Sequence, residues 1–213
     1  MKTLVDALKW RYATQVFDAE KEIPEKDLHT ILEAGNVTAT AYGLQPFEFI
    51  AIKDQALKDS LIPHAYGQEH IAKNSVLVVL AIRTDIDEAY ITEYIERMAR
   101  IRGVSAEMLD GFKQSMVGAM EAKGQEGRDT WSAKQAYIAL GTMMAAASEL
   151  GIDNHAAEGF DPDKFDEVLG LKEKNLHATL LLMLGYRTSK PDDKEKMFQV
   201  KVRKEYDDIV TII

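Results

Sequence analysis

Side chains able to do covalent or metal chemistry are few in this chain, and poorly spaced. The histidines His29, His64, His70, His155 and His177 lack the i, i+3 or i, i+4 spacing that puts two ligands on one helix face. With no cysteine there is no thiolate nucleophile, no disulfide and no sulfur-ligated metal, a composition compatible with a reducing compartment. None of G-x-G-x-x-G, G-x-x-x-x-G-K-[ST], G-x-S-x-G or H-E-x-x-H occurs. Asp161-Pro162-Asp163 looks like the start of a calcium loop, but Asp166 stands where the turn glycine belongs, so a helix cap is the better reading. No metal site is expected.

What remains is a distributed set: Arg11-Tyr12-Ala13-Thr14-Gln15, the loop Thr40 to Pro46, Gln135, Glu158-Gly159, and Lys201-Val202-Arg203. Taken singly, each has a plain explanation. Arg11 could be a solvated cation at a helix end, Lys201 and Arg203 alternating outward residues of an extended segment, Gln135 a solvent-edge amide, and Gly159 a turn residue.

The elements that position these residues follow from periodicity. Val5, Leu8 and Tyr12 recur at helical spacing after the candidate cap Thr3, so a helix should end near Arg11. Pro24 starts a second helix that carries Leu28, Ile31 and Leu32 and stops at Gly35. A small-residue loop, 38–46, then feeds the aromatic and β-branched run Phe47 to Ile52, which reads as a strand. Ser75 to Ile82 is continuously apolar, as a strand covered on both faces requires. From 85 to 123 the pattern is wholly helical, with stripes Tyr90, Ile91, Tyr94, Ile95, Met98 and Met108, Leu109, Phe112, Met116, Met120. The clearest helix runs from Asp129, as its cap, to Leu150, carrying Ala136, Leu140, Met143 and Ala147. Ile152 to Ala156 is a strand, Asp161-Pro162 caps a helix through Leu169, and Leu180 to Tyr186 is another buried strand. A polar loop, Ser189 to Lys196, precedes an extended tail. Its apolar end, Ile209 to Ile213, should be paired with its own sheet or a partner's. Without regular βαβ alternation, the expectation is an α+β fold in one domain, 1–213, with a helical excursion at about 85–123.

Composition narrows the function classes. The 26 Lys+Arg against 35 Asp+Glu give a formal charge of −9, which disfavours a nucleic-acid phosphate backbone as partner. The most apolar stretch, Leu176 to Leu184, is far short of the ~20 residues of a membrane span, and the N-terminus is too interrupted by charge for a secretory signal. A cytoplasmic protein, without membrane or nucleic-acid partners, is expected.

Together, Arg11 to Asp18, Gln45-Pro46-Phe47-Glu48-Phe49, Glu158-Gly159-Phe160-Asp161 and Lys201-x-Arg203 resemble, in order and spacing, the FMN-dependent nitroreductase family, the oxygen-insensitive NAD(P)H nitroreductases in particular. The resemblance spans almost the whole chain. It implies an α+β fold with a central, mainly antiparallel sheet flanked by helices, in a homodimer that exchanges C-terminal segments and holds two FMN molecules at its interface. It further implies that Arg11, Lys201 and Arg203 hold the FMN phosphate, that Tyr12 and Ala13 add contacts beside them, and that Gln135 reaches the ribityl or ring region. Ala39, Thr40 and Ala41 would line the flavin from the second subunit. The backbone of Glu158 and Gly159 would face flavin N5, which is the reactive atom, so no catalytic side chain is implied. NADH or NADPH would be the donor and a nitroaromatic, quinone or enone the acceptor. The excursion corresponds to the family's cover over the substrate channel. Three departures stand out: Gln15 where many relatives have Lys, Gln68 (or Gly67) where the family has an Asn at the ring edge, and Leu44 for a polar residue. A neutral Gln15 would lower the flavin potential. Two other readings are a protein that stores, senses or delivers flavin with little turnover, and a flavin-free scaffold.

Overall fold

A run of Val, Leu and Ile as unbroken as that at 76–82 is stable only where no face meets water. The structure, a computed structural model describing residues 3–213, puts it at the middle of a sheet. Strands β1 (Phe47–Ile52), β2 (Val76–Arg83), β3 (Asp153–Ala157) and β4 (Leu176–Gly185) pair antiparallel throughout, in the order β1-β2-β4-β3. The register sets Phe47 opposite Ile82 and Val76 opposite Leu184. The outermost strands are β1 and β3.

Helices α1 (Leu4–Trp10), α2 (Glu25–Asn36), α3 (Gln55–Leu61), α4 (Glu88–Arg102), α5 (Asp110–Glu121), α6 (Gly124–Glu149), α7 (Pro162–Leu169) and α8 (Asp193–Gln199) clothe the sheet. Val76, Val78, Leu80 and Ile82 face α2 and α6 through Ile31 and Met143, while Leu77, Val79 and Ala81 face α3 and α7 through Leu61 and Phe165. Each such buried side chain contributes about 1.5–3 kcal/mol against its exposed state. A Cβ on Gly35 would stand 2.8 Å from Met143 and 2.9 Å from Phe49, so only glycine lets α2 approach this closely. The excursion forms its own cluster around Ile91, Ile95, Met116 and Met120.

Several expectations are corrected. Helix α6 starts at Gly124, five residues before Asp129; no side chain caps it, and Asp129 instead accepts a hydrogen bond from Gln125 within the helix. Strand β4 starts at Leu176 rather than Leu180, and α3 lies where no element was expected. Residues 193–199 are helical, not loop, because Asp192 caps them by accepting from the Glu195 amide. On α1 the capping box of Thr3 and Asp6 forms, but its apolar face turns outward: Val5 is 57% and Leu8 42% exposed, and Ala7 is the buried residue. Met108 is likewise exposed. The 204–213 segment joins no strand among the described residues, and Ile209 and Ile212 are exposed. Among those residues no helix is long and apolar enough to cross a membrane.

Candidate functional site

Arg11 ends α1: its amide donates to Ala7 O (3.1 Å), and the chain then turns to run beside the edge of β3. Ala13 bridges in parallel to Asn154, and Thr14 Oγ1 donates to Asp153 Oδ1 (3.4 Å). This docking carries the Arg11 guanidinium over the strand, where Nη2 donates to Asn154 O (3.3 Å). Its Nε is buried without a partner.

The chain returns to this place 190 residues later. Lys201 Nζ donates to Leu8 O and to Lys9 O (2.8 Å), carbonyls that the end of α1 leaves open. Arg11, Lys201 and Arg203, with Val5, Leu8 and Lys9, line one cleft of about 440 Å³. No carboxylate forms an ion pair with any of the three among the described residues. Burial lowers the Arg11 pKa, Arg203 lowers it further, and Asp153 opposes the shift. Burial, then Arg11, Arg203 and Arg187, lower that of Lys201. The three cations share this cleft without an ion-paired carboxylate, Asp153 acting on Arg11 without a direct contact, and Arg11 keeps a buried donor without a partner.

Below the cleft the same edge carries polar groups in sequence. Gln15 Nε2 lies 3.2 Å from Ala13 O and 3.2 Å from His155 Nδ1, and that Nδ1 is also 3.1 Å from Thr14 O. The His155 ring stacks on His70, with centroids 4.6 Å apart. Burial, and secondarily Arg11, lower its pKa, while Thr14 O and Glu195 oppose the shift. Gln68 Nε2 donates to Ala65 O (2.9 Å) and Gly159 O (2.6 Å). A Cβ on Gly159 would stand 3.2 Å from that amide nitrogen. The Glu158 carboxylate bonds the Tyr137 hydroxyl; burial and this contact push the phenol up to about 12.

The edge of β3 thus strings together Arg11, Ala13, Gln15, Gln68, Glu158 and Gly159, and the tail adds Lys201 and Arg203 at one end. Tyr12 lies beneath: it is buried, and its hydroxyl donates to Glu195 Oε1 (2.7 Å). The loop residues Ala39, Thr40 and Ala41 lie apart from the edge, with Ala39 and Ala41 exposed. There Gln135 Oε1 accepts from the Ala41 amide (2.8 Å) and its Nε2 donates to Trp131 O (3.2 Å), so this side chain holds the loop within its own chain.

A model of the Nitroreductase family matches residues 8–186. The chain belongs to the nitroreductase family. A Staphylococcus haemolyticus protein bearing the provisional name NAD(P)H nitroreductase is 32% identical over 210 residues, covering 91% of this chain and 92% of its own. Among solved structures, a nitroreductase-like protein of Exiguobacterium sibiricum in complex with FMN superposes with a TM-score of 0.83 at 18% identity, covering 100% of this chain and 98% of that one. An enone reductase of gut-bacterial fatty acid saturation superposes with a TM-score of 0.83 at 16% identity, covering 100% and 99%. At such identities these two establish a shared nitroreductase fold.

In this member of the family the match stops before α8, so Lys201 and Arg203 lie beyond it. The contacts of Lys201 with α1 carry this segment to the cleft. Asn154, His155, His70 and Glu195 are the residues that sequence reasoning passed over. The polar pair Asn154-His155 inside a short strand was a usable signal, whereas Glu195 within Asp192-Asp193-Lys194-Glu195-Lys196 reads as ordinary solvated surface.

Proposed function

We propose that the protein is an FMN-dependent NAD(P)H oxidoreductase that reduces a nitroaromatic, quinone or enone in alternating half-reactions. The observation that carries this reading is the Arg11, Lys201 and Arg203 cleft, whose unpaired cations and unused Arg11 Nε suit a phosphate dianion. When bound, FMN supplies the redox chemistry, taking hydride from the nicotinamide and passing it to the acceptor.

The chain's own residues bind and orient. Arg11, Lys201 and Arg203 hold the phosphate. Gln15 and Gln68 offer neutral amides to the edge of the ring, Glu158 and Gly159 pass main chain close to it, and glycine at 159 keeps that approach free of a Cβ. With Gln15 in place of a cation, an anionic reduced ring is favoured less and the potential is lower.

We further propose a homodimer. The outward apolar face of α1 (Leu4, Val5, Leu8), Tyr137 and Ile138 on α6, and the tail residues Ile209, Ile212 and Ile213 offer an apolar surface for it. The 39–41 loop, pinned by Gln135, would reach the partner's cofactor, and the tail would cross to the partner. The reading includes a cytoplasmic location, where reduced nicotinamide would be at hand.

The test is an anaerobic absorbance spectrum of the FMN-reconstituted protein before and after one equivalent of NADH or NADPH. Bleaching is expected. A bound flavin that stays oxidised would favour storage, sensing or delivery, the reading that the neutral Gln15 supports; absence of flavin would overturn both. Dimerisation is checked by light scattering, and removal of residues 205–213 is expected to weaken it.

A further inference from the structure

One buried carboxylate has no place in the scheme above. Glu195, 1% exposed, is held at the first turn of α8 by the Asp192 cap. Burying an ionised group without partners is costly, and Glu195 has found partners from the opposite end of the chain. Its Oε1 accepts from the Tyr12 hydroxyl (2.7 Å), and both its oxygens lie 3.3 Å from the Gln15 amide. Gln199, one turn further along α8, also hydrogen-bonds the Tyr12 hydroxyl. Burial, then Glu195, pushes that phenol up to about 12, so it remains a donor throughout the neutral range. The Tyr12 ring is itself fixed, with the Arg187 guanidinium 4.6 Å from its centroid.

The geometry has a direct consequence six residues on. Bringing Lys201 and Arg203 to Arg11 sets like charges together; the Leu8 and Lys9 carbonyls hold Lys201 itself, and the chain leading to it is held by Glu195. We propose that Glu195 is the positioning residue of the anion cleft: through Tyr12 and Gln15 it latches the tail to the head of the chain, and so delivers Lys201 and Arg203 to Arg11. The inference rests on the FMN reading for the identity of the ligand, but not for the existence of the latch. Because the anion and the latch favour the same docked tail, each strengthens the other, and the coupling is reciprocal.

The test uses the full chain as wild type, Glu195→Ala, Glu195→Gln and Tyr12→Phe, each checked for folding by circular dichroism. FMN is titrated by fluorescence quenching, and the tail is probed by trypsin, which cuts after Lys196, Lys201 and Lys204. Cleavage after Arg203 is read with the lysine sites, and Glu195→Ala is expected to raise the FMN Kd at least tenfold and to speed tail cleavage by a similar factor. Tyr12→Phe, which keeps the ring beside Arg187, should raise Kd several-fold. Glu195→Gln can accept from Gln15 and donate to the Tyr12 oxygen, so it should stay within about threefold of wild type, a rescue that loss of general stability would not produce. Should Glu195→Ala fail to fold, Tyr12→Phe carries the test.

Wild-type affinity in Glu195→Ala would overturn the proposal, as would a tail equally resistant in both proteins. If wild type takes up no FMN, the cofactor reading fails while the latch is judged with inorganic phosphate in the same trypsin assay. Protection by phosphate in wild type that is lost in Glu195→Ala supports it; protection in both, or in neither, overturns it.

Discussion

Arg187 and Arg11 meet β3 at neighbouring residues, yet their surroundings are opposite. The Arg187 guanidinium donates from Nε to Asp153 Oδ1 (2.7 Å), its amide donates to Asp153 Oδ2 (2.8 Å), and the rings of Trp10 and Tyr12 lie 4.3 and 4.6 Å from it. This charge is closed by its ion pair: Nη2, which makes no hydrogen bond, lies 2.5 Å from Asp153 Oδ1, and aromatic faces fill the rest of the shell. One residue on, Arg11 feels Asp153 without an ion pair to it, and has a main-chain carbonyl, a buried Nε without a partner and two cations for neighbours. The first arrangement closes a charge within the fold; the second leaves a donor unused, and on the proposed function the flavin phosphate would take it.

The sharpest way to break this comparison is at Asp153. Its replacement by alanine leaves Arg187 uncompensated, and about 3–5 kcal/mol of stability should be lost, read from the urea midpoint. A loss no larger than that of a surface change would mean that the closed corner is not structural. Next in size is Arg203→Glu. Removing one charge-assisted contact worth about 1.5–3 kcal/mol should weaken FMN at least tenfold, while apo stability stays within about 0.5 kcal/mol of wild type. Equal FMN stoichiometry and affinity in the purified variant would sink the open-corner assignment.

Gly159→Ala is expected to cost less. The new Cβ would crowd Gln68 Nε2, so flavin affinity should fall several-fold with about 1 kcal/mol or less of apo stability lost, measured by the same titration and urea series. The smallest effect concerns His155. Its folded-state pKa lies below the ordinary value near 6.5, so the unfolded chain binds the proton first as pH falls. Stability should be level above about pH 7 and decline from about pH 6.5 through the folded-state pKa. His155→Gln should flatten that decline. Phosphate in the cleft should shrink it too, by offsetting the Arg11 charge that helps lower the pKa; an unchanged slope in either case would contradict this account.

How much was legible in the sequence divides along the same line. Strand β1 and helix α7 match their expected bounds because their signals are local: alternating aromatic and β-branched residues in one, an Asp-Pro start in the other. The start of α6 was not legible, since Gly124 follows Lys123 without a capping side chain. Helix α8 was hidden in a run of charges that only its long-range partners make meaningful. The meeting of Arg11 with Lys201 and Arg203 followed from the family resemblance, and no spacing rule would have proposed it. Asn154, Glu195 and the Asp153–Arg187 pair act across separations of 143, 183 and 34 residues, where no periodicity reaches.

That the cleft draws on residues 5–11 and again on 201–203 has a consequence for the order of events in synthesis. Domains take shape from the N-terminus as the chain emerges. The sheet needs nothing beyond residue 185, whereas the anion cleft lacks two of its three cations until residue 203 has been made. A chain interrupted between those points holds every strand and an incomplete cleft. On the proposed function, flavin loading would therefore come among the last steps of biogenesis, and retention of the anion would distinguish finished molecules from stalled ones.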